Sequence, residues 1–333
     1  MEVTVESHPN IALVKYWGKA DAATNTPING SVSIGMQNVK TTTNVHLEPA
    51  AAPSIEMELN GMPVTPSQRV QNMIDYLISL SPPAAELLST HSLKITSSNS
   101  FPTGAGMASS ASGMAALAVA LKTLLAPTLS NQTTATLARL GSGSACRSIH
   151  PGFVRWDAEN GIVTQVATDK HWPELRLLAV VCCAEKKAVG STEGMLRSAA
   201  TCPFMDRRAE VASARLEDVE SAIISKDFPK LAEEVMRDSN DLHAVCLSSY
   251  PPIVYLSASS LAVINTVHAL NSSHNSPIAA YTFDAGPNAM ILTTAAYCKQ
   301  VKWALSELKL AGSVKDIIDI GVGGGTVVQP MKE

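Results

Sequence analysis

The chain has 333 residues, of which 46 % are hydrophobic and 16 % charged, with a formal net charge of −4. That length and apolar content can build a substantial core in one large or two smaller domains, and they exclude a disordered chain. The mildly acidic balance leaves no general footprint for nucleic acid or an anionic membrane, so an anionic ligand must be held by locally placed cations.

In chain order, residues 11–14 suit a buried strand ending at Lys15. Residues 39–48 alternate apolar or β-branched with polar side chains, as a half-buried strand does, and 54–59 followed by Asn60-Gly61 read as a strand and a hairpin turn. Val70, Met73, Ile74, Leu77 and Ile78 fall at helical spacing behind Pro66-Ser67, which puts Arg69 in a first helical turn. Residues 92–96 form a short strand, and 107–125 have the length and composition of a helix limited by Pro127. A shorter helix covers about 133–140, and the apolar run 175–184 reads as a buried strand. Beyond about residue 190 the pattern turns helical over 204–224, 230–244 and 253–270, punctuated by Asp227-Phe228-Pro229 and Tyr250-Pro251-Pro252. Strands at 278–283 and 289–293, a helix near 295–310 and a strand near 317–320 follow. Residues 321–325 then turn into a last strand. Two α+β lobes sharing a cleft are the simplest architecture, with residues 1–187 in one and 188–333 in the other.

Six cysteines (Cys146, Cys182, Cys183, Cys202, Cys246 and Cys298) form no Cys-x-x-Cys pair, and no histidine spacing indicates a metal site. The thiols therefore fit a reducing compartment. The opening Met-Glu-Val-Thr-Val-Glu has neither a basic stretch nor an apolar core, which points to the cytoplasm. The most apolar helix, 107–125, carries Ser and Lys122 and suits a buried core better than a membrane span.

The most informative run is 101–113, Phe-Pro-Thr-Gly-Ala-Gly-Met-Ala-Ser-Ser-Ala-Ser-Gly. A Pro/Gly turn feeds small residues and hydroxyls into a helix, whose free N–H groups and positive dipole end favour a phosphate. Small side chains allow close approach, and Ser109 and Ser110 can bond a phosphate or a metal-bound water. It is neither a Walker loop nor Gly-x-Gly-x-x-Gly. The competing reading is a tightly packed helix.

Three further runs could act with it. Residues 10–19, Asn-Ile-Ala-Leu-Val-Lys-Tyr-Trp-Gly-Lys, put Lys15, Tyr16, Trp17 and Lys19 together, either as an anion site or as a strand end with solvated lysines and packed rings. Residues 141–148, Gly-Ser-Gly-Ser-Ala-Cys-Arg-Ser, offer hydroxyls and the planar fork of Arg147, or simply a helix-ending glycine loop. Cys146 there reads as a small packed residue. Residues 281–289, Tyr-Thr-Phe-Asp-Ala-Gly-Pro-Asn-Ala, place Asp284 at a strand end. From there it could take a hydroxyl proton, or it could bond its own turn. Thr192 reads as a loop hydroxyl near the cleft. Three anion-favouring loops and one acid together point to ATP on one side, a phosphorylated small molecule on the other, and phosphoryl transfer to a hydroxyl between them.

The loop at 102–113 resembles the Pro-x-x-x-Gly-(Leu/Met)-x-Ser-Ser-Ala loop of the small-molecule kinase superfamily that includes galactokinase, homoserine kinase and mevalonate kinase. Residues 10–19, Pro27-Ile28-Asn29, 141–148, 171–176, Ala184-Glu185-Lys186-Lys187, Asp238-Ser239-Asn240 and 281–289 are similar, in the same order, to the mevalonate diphosphate decarboxylase family. The resemblance implies a two-lobed α+β fold of GHMP-kinase type, with a ribosomal-protein-S5-domain-2-like N-terminal lobe and a ferredoxin-like C-terminal lobe about a central cleft. It implies ATP-dependent conversion of (R)-5-diphosphomevalonate to isopentenyl diphosphate with release of CO2, ADP and phosphate, by a cytoplasmic homodimer that binds neither nucleic acid nor membrane. ATP then lies on Pro102, Thr103, Gly104, Ala105, Gly106, Met107, Ala108, Ser109 and Ser110, bridged by Mg2+ with Ser109 nearby. Asp284, Lys15, Arg147 and Ser109 are the catalytic residues. Tyr16, Trp17, Gly18, Lys19, Arg69, Ser142, Gly143, Ser144, Ala145, Cys146, Arg147 and Thr192 hold the acidic substrate, with Arg147 as its carboxylate clamp. A kinase of the same fold that stops at phosphorylation, and a non-catalytic ligand-binding homologue, are the competing readings. Ser7-His8-Pro9-Asn10, Gly30, Gly104 and Met107 depart from the family pattern without removing a catalytic group.

Overall fold

A computed structural model describes residues 1–101, 109–182 and 187–330. Pro102, Thr103, Gly104, Ala105, Gly106, Met107 and Ala108 of the expected nucleotide loop lie outside the described residues, as do Cys183 and 184–186 of the motif that ends at Lys187.

Among the described residues the strands form three main sheets. The first has the order β16 (Thr326–Val328), β1 (Glu2–Ser7), β6 (Thr41–Pro49), β9 (His91–Asn99), β7 (Ile55–Leu59) and β8 (Met62–Val64), with β7 parallel to β9 and the other pairs antiparallel. The second is antiparallel in the order β11 (Val163–Ala167), β10 (Phe153–Trp156), β5 (Ser31–Gly35) and β2 (Asn10–Val14). The third, also antiparallel, runs β13 (Ala279–Phe283), β14 (Ala289–Thr294), β12 (Leu175–Val181) and β15 (Asp316–Asp319). A small hairpin joins β3 (Lys19–Asp21) to β4 (Thr26–Pro27).

The helices are α1 (Gln68–Leu80), α2 (Pro82–Thr90), α3 (Ser109–Leu125), α4 (Asn131–Gly141), α5 (Ser191–Thr201), α6 (Met205–Ser225), α7 (Phe228–Ser248), α8 (Ala258–Ser272) and α9 (Cys298–Leu310). On α1 the buried residues are Val70, Met73, Ile74 and Leu77, the face its periodicity demands. The prolines of α2 stand in its first turn, where a missing N–H costs nothing. α3 buries alanines on several sides because it packs on both β1 and β6 as well as on α4. No described helix is long and apolar enough to cross a membrane. Several assignments differ from expectation. α8 starts at residue 258 rather than 253, because Ser257 and Ser260 form a reciprocal capping box. α9 starts at 298 rather than 295. Thr192 sits in the first turn of α5 and not in a loop.

The halves of the chain exchange strands. β12, before residue 187, lies in the third sheet with β13–β15, while β16 returns to pair with β1 in the first. The second sheet is shared between two cores. Ile11, Leu13, Val32, Ile34 and Phe153 pack with the third sheet and α6–α8, whereas Val154 and Trp156 pack with α1, α3 and α4. Lys15, following β2, emerges where these two cores meet.

Candidate active site

A cavity of about 320 Å³ opens at this junction. Among the described residues, Lys15, Lys19, Arg69, Arg147 and Lys187 line it with positive charge, against the single carboxylate of Asp284. Five cations around one acid, in a chain of net charge −4, make a local polyanion site.

Asp284 follows β13 and begins the turn through Pro287, with its side chain 38 % exposed to the cavity. The Lys15 ammonium, only 2 % exposed, donates to Asp284 Oδ1 at 2.6 Å. Burial holds Lys15 below the usual lysine range, while Asp284, and more weakly Asp238, resist that shift. The Lys15 main chain is gripped as well. Its N–H donates to Asp238 Oδ2 at 2.7 Å, and its carbonyl accepts from Asn29 Nδ2 at 2.9 Å.

Arg147 is 3 % exposed and lies on the short 3-10 helix Gly143–Ser148, so the segment read as a glycine loop is helical. Its Nε and Nη2 donate to Asn10 Oδ1 at 3.3 and 3.1 Å, and Nη1 donates to Ser31 Oγ at 2.7 Å. A guanidinium has five N–H donors, so two remain, one on each terminal nitrogen. Asn10 Nδ2 in turn donates to Ser148 Oγ at 2.8 Å.

At the mouth, Lys19 donates to Asn25 Oδ1 at 2.6 Å, and Arg69 Nη2 donates to Thr192 Oγ1 at 2.8 Å, bridging α1 and α5. Burial lowers the Lys19 pKa, assisted by the nearby Arg69. Ser109 and Ser110, at the start of α3, share the cavity with Ser142, Gly143 and Ser144. Gly143 is required by Tyr16, whose hydroxyl would stand 2.8 Å from any Cβ there. The Trp17 ring meets Tyr255 edge-on at 6.1 Å. Gly30 also has a packing reason, since a Cβ would lie 2.8 Å from Leu216 and 3.0 Å from the Trp156 carbonyl.

Expected residues Lys15, Tyr16, Trp17, Lys19, Arg69, Ser109, Ser110, Ser142, Gly143, Ser144, Arg147, Thr192 and Asp284 thus surround one cavity. Gly18, Ala145 and Cys146 are not among its lining residues. Gly18 serves the backbone, with φ +89° and its carbonyl accepting from Ile28 N–H. Ala145 is buried, and the Cys146 thiol donates to the Gly143 carbonyl, its pKa pushed up to about 12 by burial. Sequence reasoning missed Asn25, Asn29, Lys187 and Leu242 as neighbours of the site. Asn29 and Lys187 stood inside the family motifs and Asn25 near a proline turn, while Leu242 had no local cue.

Among the described residues no three His, Cys, Asp or Glu side chains gather to hold a metal by themselves. The hydroxyls of Ser109 and Ser110, which line the cavity, suit a magnesium ion that keeps most of its ligands from phosphate and water.

A family described as "Diphosphomevalonate decarboxylase-like N-terminal domain" matches residues 7–167, and one described as "Mevalonate 5-diphosphate decarboxylase C-terminal domain" matches 177–319. Diphosphomevalonate decarboxylase mvd1 of Aspergillus fumigatus is 42 % identical over 305 residues, 86 % of this chain and 76 % of that protein. The Homo sapiens diphosphomevalonate decarboxylase is 42 % identical over 309 residues, 87 % and 76 % of the two chains. Mevalonate diphosphate decarboxylase from Trypanosoma brucei has a similar structure, with a TM-score of 0.88, 32 % identity, and coverage of 99 % of this chain and 98 % of that one. A structure described as "MDDEF in complex with MVAPP, AMPPCP and Magnesium" aligns with a TM-score of 0.88 at 31 % identity, over 99 % of each chain.

Proposed function

The chain belongs to the diphosphomevalonate decarboxylase family, and we infer that it carries out the ATP-dependent decarboxylation of (R)-5-diphosphomevalonate to isopentenyl diphosphate, a step of the mevalonate route to isoprenoids and sterols. The observation that carries the reading is the Lys15–Asp284 contact inside a cavity whose other charged walls, among the described residues, are cationic.

Asp284 accepts the proton of the tertiary C3 hydroxyl. That oxygen attacks the terminal phosphoryl of ATP, and ADP leaves. Phosphate then departs with the C3–O electron pair, the substrate carboxylate leaves as CO2, and the electrons of the broken C–C bond form the double bond. Lys15 holds positive charge against the transferring phosphoryl from a site closed to water. The two remaining Arg147 donors orient the departing carboxylate. Lys19, Arg69 and Thr192 hold the substrate diphosphate, with Ser142, Gly143 and Ser144 beside it, and Tyr16 and Trp17 wall the pocket. Ser109 and Ser110 at the α3 N-terminus receive the ATP phosphates. A magnesium ion carried with ATP beside Ser109 and Ser110 would neutralise charge that develops during transfer.

The assay is purified protein with Mg-ATP and carboxyl-labelled diphosphomevalonate. Labelled CO2 stoichiometric with ADP is expected, whereas a phosphorylated product without CO2 identifies a kinase of the same fold. The homodimer and cytoplasmic location belong to the same proposal, and light scattering of the purified protein tests the first.

A further inference from the structure

We propose that Asp238, Ser239 and Asn240, three consecutive residues of α7, form a positioning device that sets the Lys15–Asp284 contact across the cleft. The inference rests on the reading that this contact flanks the reaction centre. Lys15 and Asp284 follow strands of different sheets, so no ladder of backbone hydrogen bonds fixes their spacing. A direct link between the strands, from the Thr282 hydroxyl to the Ala12 carbonyl, is long at 3.5 Å. α7 supplies the connection instead. Asp238 accepts the Lys15 N–H at 2.7 Å. Ser239 Oγ accepts the N–H of Phe283, the residue before Asp284, at 3.0 Å. Asn240 Oδ1 accepts the Tyr281 hydroxyl at 3.0 Å. Successive helix residues point about 100° apart, so three in a row can grip two strands only where those strands approach the helix from different sides.

Asp238 is itself held. It is 0 % exposed and does not line the cavity, so it touches no reactant. Arg208 donates to both of its oxygens at 2.8 and 3.0 Å, and the same guanidinium reaches the Lys15 carbonyl at 3.2 Å. Arg215 adds a contact at 3.4 Å and is anchored on Asp241 and Glu234. A carboxylate buried this deeply is strongly destabilising unless fully paired. Here the pairing fixes both polar groups of the Lys15 peptide.

Ser239→Ala tests the device by two readouts. CO2 release should fall about ten-fold in kcat with both KM values within about two-fold, the pattern of a displaced reactive group rather than lost binding. The 15N resonance of the Lys15 ammonium, assigned by its loss in Lys15→Arg, should titrate at lower pH than in the unmodified protein. Burial and, more weakly, Arg147 oppose the ammonium, while Asp284 and Asp238 sustain it and His243 is neutral there, so loosening Asp284 tips the balance downward. Asp238→Asn, which keeps shape but removes the charge, should shift the titration further in the same direction. An unchanged Lys15 titration in folded Ser239→Ala protein overturns the proposal, whether or not activity falls with stability. The titration needs no substrate, so it reads the device even if the unmodified protein releases no CO2, an outcome that sinks the decarboxylase reading instead.

Discussion

The inner end of the cleft and its mouth are built on different principles. At the inner end Arg147 and Lys15 are nearly closed to solvent and each is held by several contacts. Arg147 donates to Asn10 and Ser31, and Lys15 is held at its ammonium, its N–H and its carbonyl. At the mouth Lys19 and Arg69 each make one side-chain hydrogen bond, to Asn25 and Thr192. The difference teaches where accuracy is needed. Bond-breaking tolerates displacements well under 1 Å, whereas a flexible diphosphate can be followed by long cationic side chains.

The sharpest way to break this contrast is at the carboxylate that Lys15 holds. Asp284→Ala should lower kcat about 10³-fold or more, in the range for a lost proton acceptor in the transition state. Near-normal single-turnover chemistry would remove its role. Arg147→Lys should cost about 10²-fold in kcat, because an ammonium cannot serve Asn10, Ser31 and a carboxylate at once; unchanged steady-state kinetics would end the clamp assignment. At the mouth the pattern should invert. Arg69→Ala should raise the KM for diphosphomevalonate about ten-fold and leave kcat within about two-fold. An equal loss in both constants would show that the mouth is as exacting as the interior.

Two pH effects sharpen the comparison. Lys15 is held below 10.5, so its charge is lost as pH rises through that lowered value, and the basic limb of kcat should lie below the ordinary lysine range. A limb at or above 10.5 contradicts this. His243, behind the site against Phe283, is lowered to about 4 by burial and by Lys15. The unfolded chain therefore binds the extra proton between about pH 6.5 and 4, so this contribution is complete above about 6.5 and fades as pH falls. Between pH 7 and pH 5 urea unfolding should show about 2 kcal/mol of pH-dependent loss that His243→Gln removes. An identical pH dependence in the variant would exclude His243 as its source.

Much of the fold was legible locally because its signals are local. The period of Val70, Met73, Ile74 and Leu77, the alternation over 39–48 that became β6 and the Asn60-Gly61 turn each reflect neighbours along the chain. The strands β10 and β11 and the helices α2 and α5 were not, since their short runs carry weak periodicity. For the site, Lys15, Arg147 and Asp284 announced themselves through the company of rings, hydroxyls and turn residues. Asn10 and Asn29 stood inside the motifs, yet their roles as partners of Arg147 and of the Lys15 carbonyl depend on contacts between residues far apart in the chain.

What the sequence by itself determined is the chemical inventory and the local elements that present it: a small-residue run opening a helix, a lysine at a strand end, an arginine in a Gly/Ser segment and an acid before a Gly-Pro turn. What only the tertiary structure decided is their convergence. Lys15 and Asp284 are 269 residues apart, and they meet because α7 grips both strand ends while two cores share the sheet between them. Sequence patterns record which face of an element is buried, but the distance between two elements is set by the packing of everything between them, and no local pattern encodes that.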